Sequence, residues 1–185
     1  MLADLNGLAE TVIRFVQEHR TWAGPIVFVL AFGESIAFVS LVLPFWGMLV
    51  ALGALIGGNI GSLEFWTILV CAATGAALGD WVSYWLGYYY HDRIARMWPI
   101  SKYPDLLPKG HEFFDKWGPW AIVLARFSGP FRASVPIVAG AVRMPQGIFQ
   151  LANWSSAFLW AGVLLVFGDA INRLWTYLSK GLGFG

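Results

Sequence analysis

Charge is scarce in this chain. Of its 185 residues only 12% are Asp, Glu, Lys or Arg, about half the share of an ordinary soluble domain, which excludes a soluble globular fold. Charge of one sign is scarcer still: 12 Lys and Arg against 11 Asp and Glu leave a formal net charge of +1, and no basic stripe could displace the counterions of a polyanion. Nucleic acid is excluded as a partner. The one cysteine, Cys71, has no second thiol, so neither a disulfide nor a thiolate metal site can form within the chain, and it reads as core filler. His19, His91 and His111 lie far apart without ligand spacing, and no metal is expected. Enzyme constellations are lacking too. No Gly-rich phosphate loop is present, Gly33-Glu34-Ser35 has no histidine in its segment, and the paired basic and histidine motifs of a lipid phosphatase are missing, so neither catalysis nor a cofactor is expected.

What is plentiful is what bilayers favour. The chain is 58% hydrophobic with a mean hydropathy of +0.62, and carries 11 Trp, 14 Phe and 21 Gly. The pattern predicts an all-α integral membrane protein built as an inverted repeat: a re-entrant helical hairpin plus a transmembrane helix, twice, with interfacial amphipathic helices. Residues 1–20 place Leu2, Leu5, Ala9, Val12, Ile13 and Val16 on one helical face and Asp4, Glu10, Arg14 and Glu18 on the other. They read as a helix on the membrane surface or a packing helix, and the charges break up any cleavable signal.

The membrane domain spans 21–171. From 21 to 63 the only ionisable residue is Glu34, yet 24–58 is too short for two crossings and has Pro44 near its middle, which fits a hairpin returning to its own face. Residues 65–90 read as a crossing, with Gly75 and Gly79 spaced for close helix approach. Residues 91–116, broken by Pro99, Pro104 and Pro108, read as a water-exposed loop. Residues 117–144 contain Arg126, Arg132, Pro130 and Pro136, too much breakage for a lipid-facing span, and read as the second hairpin, turning around Gly129, Pro130 and Pro136. A last crossing covers 145–171 and a short tail 172–185. Lys and Arg are divided too evenly to fix the orientation. Gly168-Asp169 loosely echoes Gly79-Asp80, in line with duplication.

Arg126 and Arg132 are the informative residues, since each costs on the order of 3 kcal/mol at membrane depth even on a lenient scale. An arginine stays charged, and its planar fork matches phosphate or carboxylate oxygens two at a time. Two arginines in one hairpin therefore read as a clamp for a lipid phosphate, or as partners of internal acids such as Glu34 and Asp80. Glu34, brought to the same centre, reads as a proton carrier or as a static counter-ion. Asp80 reads as a second proton-coupling residue beside Glu34 that could hydrogen-bond a hairpin turn, or as a solvent-facing helix-end residue.

Ala125-Arg126-Phe127-Ser128-Gly129-Pro130-Phe131-Arg132, then Pro136, Ala139-Gly140 and Met144, resembles the signature of the DedA family of membrane proteins, which shares its core with the eukaryotic VTT-domain lipid scramblases. Glu34 with Pro44, and Gly75, Gly79-Asp80, Tyr84 and Gly87, extend the resemblance to most of the chain. The resemblance implies a bacterial inner-membrane flippase for an anionic lipid phosphate, undecaprenyl phosphate or a phospholipid, often with proton coupling. It makes Glu34 the essential acid and Arg126 and Arg132 the essential arginines. Where many members carry a second acid, Pro44 is here followed by Phe45, Trp46 and Gly47. The expected partners are membrane lipids and protons, and the small-residue faces allow a homo-oligomer. The competing class is a non-transporting scaffold or chaperone in which the arginines and Glu34 form a structural network.

Overall fold

The computed structural model describes residues 11, 14–15, 18–36, 62–94, 106–128, 132 and 134–181. Among them every regular element is helical. After a short 3-10 turn at Arg20–Trp22 come α1 (Ala23–Ser35), α2 (Leu63–Ile94), α3 (Leu106–Trp117), α4 (Trp120–Arg126), α5 (Ser134–Ala141) and α6 (Gln146–Gly181). Most of the amphipathic segment 1–20, the second limb of the first hairpin with Pro44, and the turn residues Gly129 and Pro130 lie outside the described residues.

Two helices are long and apolar enough to cross a bilayer: Leu63–Tyr90 within α2 and Gln146–Gly168 within α6. At about 1.5 Å per residue each exceeds the roughly 30 Å hydrocarbon core. Their outer faces expose Trp66, Val70, Val82, Leu151, Leu159, Val163 and Phe167, apolar surface suited to lipid. By the same rise α4 and α5 are each only about 10–12 Å long and cannot cross alone. α2 kinks at Tyr90, whose backbone leaves the helical region (φ −110°, ψ 22°). Interfacial aromatics gather near these ends: Trp22, Tyr89, Trp117 and Trp120 are all exposed.

Glycine sets how closely the helices pack. Gly24 meets Cys71, Gly75 lies on the Phe28 carbonyl, and Gly79 on that of Phe32 with Ser35 Cβ 2.7 Å from where its own Cβ would be. The contacts advance together along both chains, so α1 and α2 run parallel. α2 and α6 run antiparallel: Tyr84 stacks on Phe149 at 4.4 Å, Asn153 bonds to Ala77, and Gly162 lies against Leu69. Gly87 against Ile137, and Gly140 against the Tyr84 carbonyl, set α5 antiparallel on α2.

A duplication runs under this packing. Gly24-Pro25 and Val29-Leu30-Ala31 of α1 recur with identical spacing as Gly118-Pro119 and Val123-Leu124-Ala125 at α4. Asp80-Trp81-Val82-Ser83 on α2 recurs as Asn153-Trp154-Ser155-Ser156 on α6. The antiparallel α2 and α6 carry these two stretches in opposite directions, and Asn153 is a closer echo of Asp80 than Asp169 is.

The segment 91–116 is also corrected. α2 continues through Ile94 and α3 occupies Leu106–Trp117. Pro108 falls in the first turn of α3, where a missing N–H removes no helical bond. α3 buries Phe114 and exposes Phe113 and Trp117. The expected tail likewise begins as helix, since α6 continues to Gly181.

The apolar core is in two parts. One packs Val27 and Ala31 of α1 against Phe65, Ala72 and Ala76 of α2 and Ala157 and Trp160 of α6. The other gathers Tyr84, Ile122, Ile137, Phe149 and Ala152 with Phe114. Along α2 the first ends at Ala77 and the second begins at Tyr84; along α6 the order reverses. A polar band lies between them.

Candidate functional site

That band holds every buried polar or charged residue among those described: Ser35, Asp80, Ser83, Arg126, Arg132, Asn153 and Ser156. Asp80 and Asn153 lie well inside the two helices long and apolar enough to cross a bilayer, so the band lies between the ends of both.

Arg126 is the last residue of α4 and is 4% exposed. Its guanidinium bridges the two long helices. Nη2 forms an ion pair with Asp80 on α2 and donates to Asn153 Oδ1 (2.6 Å) and, at 3.3 Å, to the Asn153 carbonyl. Nε donates to Ser156 Oγ at 2.9 Å. Asn153 is itself fixed, because its Nδ2 donates to the Ala77 carbonyl at 2.9 Å. Within this cluster Nη1 of Arg126 and Oδ1 of Asp80 are buried without a protein partner.

Arg132 is held differently. Nη2 donates to Ser35 Oγ at 2.8 Å, and Nη1 lies 3.9 Å from Glu34 Oε1, the outer limit of a direct ion pair. Its guanidinium stacks over Trp160, 4.3 Å from the ring centroid. Nε is buried and has no partner. The Ser83 hydroxyl, shared between the carbonyls of Ser35 and Gly79 at 3.2 and 3.1 Å, anchors the end of α1 to α2.

The structure thus brings together Glu34, Asp80, Arg126 and Arg132. Each arginine faces an acid, as in the internal-pair reading, and Asp80 is buried rather than solvent-facing at a helix end. Pro136, expected at the hairpin turn, lies instead in the first turn of α5, buried and free of a lost hydrogen bond. Ser35, Ser83, Asn153, Ser156 and Trp160 were not read from the sequence. The signal for Asn153 and Ser156 was present in the echo of Asp80-Trp81-Val82-Ser83.

Residues 43–170 match the model of the VTT domain. The chain belongs to the VTT-domain family, the DedA family of membrane proteins. It is similar to inner membrane protein YabI of Escherichia coli K12, 34% identical over 146 residues, 79% of this chain and 57% of the relative. It is similar also to the uncharacterized membrane protein BU139 of Buchnera aphidicola, 33% identical over 149 residues, 80% of this chain and 57% of that one. Inner membrane protein YqjA of E. coli K12 is 28% identical over 177 residues, 89% of this chain and 78% of the relative. The chain therefore spans little more than half the length of the first two. No solved structure matches it. The VTT-domain match contains Asp80, Arg126, Arg132, Asn153 and Trp160, while Glu34 and Ser35 lie just upstream.

Proposed function

We propose that this VTT-domain protein is a transporter that moves an anionic lipid phosphate, undecaprenyl phosphate or a phospholipid, across the bacterial inner membrane. α1 begins one re-entrant hairpin and α4 with α5 forms the other, and the lipid tail stays in the bilayer while the head group crosses the polar band. Only the phosphate needs such a path, because moving it unpaired through hydrocarbon costs far more than moving its chain.

The observation that carries this reading is the difference between the arginines. Arg126 is engaged by Asp80, Asn153 and Ser156 and serves as the anchor. Arg132 has a pair with Glu34 at 3.9 Å, looser than that of Arg126 with Asp80, though each arginine keeps one buried nitrogen without partner. A phosphate oxygen can replace Glu34 at Arg132 and gain a charge-assisted bond. Charge balance supplies the coupling: two acids match two arginines, so an entering anion leaves one negative charge in excess in a dry site. A proton on the displaced Glu34 restores neutrality, which makes lipid phosphate and proton co-substrates.

A vesicle flipping assay tests the reading. With undecaprenyl phosphate and phosphatidylethanolamine compared in turn, Arg132→Lys, which keeps the charge and loses the fork, is expected to abolish flipping while the purified protein keeps its thermal transition. Glu34→Gln is expected to flatten the pH dependence of flipping. The second reading, a non-transporting scaffold, draws on the internally paired Arg126; flipping by Arg132→Lys at the wild-type rate would favour it.

A further inference from the structure

We propose that Trp160 is a positioning residue for Arg132: its indole face holds the guanidinium in place while Glu34 is away, so that an arriving phosphate meets an arginine already aimed. The inference rests on the transport reading above and concerns a residue which that reading leaves idle.

A buried arginine that gives up its counter-ion faces a large desolvation penalty and loses its orientation unless something else receives the charge. The groups that bond or pair with Arg132, Glu34 and Ser35, both come from the end of α1, so they leave together if that end shifts. Trp160 comes from α6, is 6% exposed, and belongs to the apolar cluster of Ala73, Ala157 and Ala161. The same cluster includes Ala31 of α1, but Trp160 itself is carried by α6 and so remains beside Arg132 if only the last residues of α1, Glu34 and Ser35, shift. The guanidinium carbon lies over the Trp160 ring, 4.3 Å from the centroid. The ring meets the charge at the guanidinium carbon, while Nη1 lies towards Glu34, Nη2 donates to Ser35 and Nε has no partner. An aromatic face stabilises the cation without occupying a donor; the Asp80 carboxylate on α2 also acts on it at longer range, but does not aim it. Tryptophan is the strongest ring for it, and desolvation raises the effect to about thirty-fold in affinity.

Truncating Trp160 would also open the core, so the test keeps its shape. Mono-, di- and trifluorotryptophan placed at position 160 alone, in the full chain, drain the ring's negative face while scarcely changing its volume. Flipping of undecaprenyl phosphate in vesicles is measured for each, alongside the thermal transition. The logarithm of the half-saturating lipid concentration is expected to rise in proportion to fluorine number, approaching about tenfold for the trifluoro ring, with the protein still unfolding in one cooperative transition. Trp160→Phe should fall within this series. A flat series would overturn the inference and leave Trp160 as packing. Arg132→Lys separates the two failures. If it abolishes flipping while the fluorine series is flat, only the role of Trp160 falls; if it flips like wild type, the transport reading falls and this inference with it.

Discussion

Replacing Asp80 by asparagine removes a charge and almost no volume, so its cost reports what Arg126 loses. Asp80 is 2% exposed and Arg126 4%, and after the change the guanidinium stays buried with no charged partner of its own. Breaking such a pair from one side typically costs about 3–5 kcal/mol. The lower end is expected here, about 3 kcal/mol, for two reasons. Arg126 keeps its bonds to Asn153 and Ser156 at 2.6 and 2.9 Å, and the native pair is single-stranded, with Arg126 Nη1 and Asp80 Oδ1 both outside it. Adding Arg126→Met to Asp80→Asn removes the stranded charge and should recover about 2 kcal/mol of that loss, a coupling between the sites. Unfolding of the purified protein by a graded denaturing detergent, followed by circular dichroism, measures Asp80→Asn, Arg126→Met and the double variant. An Asp80→Asn protein within 1 kcal/mol of wild type, or a double variant as unstable as the sum of the singles, would refute Arg126 as the anchor.

Further substitutions probe the packing that positions the band. Gly140→Ala would drive a methyl group into the Tyr84 carbonyl and to 2.8 Å from the Tyr88 nitrogen, lifting α5 from α2; a loss of about 1–3 kcal/mol is expected in the same unfolding assay. Gly147→Ala, with nothing within 4 Å, serves as the neutral control. Arg143 closes α5 with φ +56°, its N–H on the Gly140 carbonyl and that of Met144 on Ala139. This helix-ending turn favours glycine, so Arg143→Gly should stabilise by about 1 kcal/mol, and an unchanged or lower thermal midpoint would show that the turn carries no strain.

The crossings, Glu34 and the two arginines were legible because a charge stands out in an apolar run. Ser35, Ser83, Asn153 and Ser156 were not, since small polar residues in a membrane helix carry no signal one at a time; only the recurrence of Asp80-Trp81-Val82-Ser83 marks two of them. Trp160 was one tryptophan among 11. The prolines of 91–116 misled because a proline breaks a helix interior but suits a first turn, and the sequence alone does not say in which register Pro108 falls. Nor does it say which arginine is anchored, because that depends on partners brought from α1, α2 and α6.

The broken symmetry of the repeated motif follows from having one centre for two copies. A strict repeat would place carboxylates at both 80 and 153, two negative charges beside the single guanidinium of Arg126. Asn153 instead accepts from Arg126 through Oδ1 and donates to the Ala77 carbonyl through Nδ2. An ionised aspartate has no proton for that second bond and would face the carbonyl as one acceptor against another. The amide thus ties α6 to α2 while leaving the acids in balance: Asp80 for Arg126 and Glu34 for Arg132. With charge matched and Arg126 tied to both long helices, the looser of the two buried ion pairs is the one at 3.9 Å, and under the proposed transport it is at Arg132 that a phosphate exchanges.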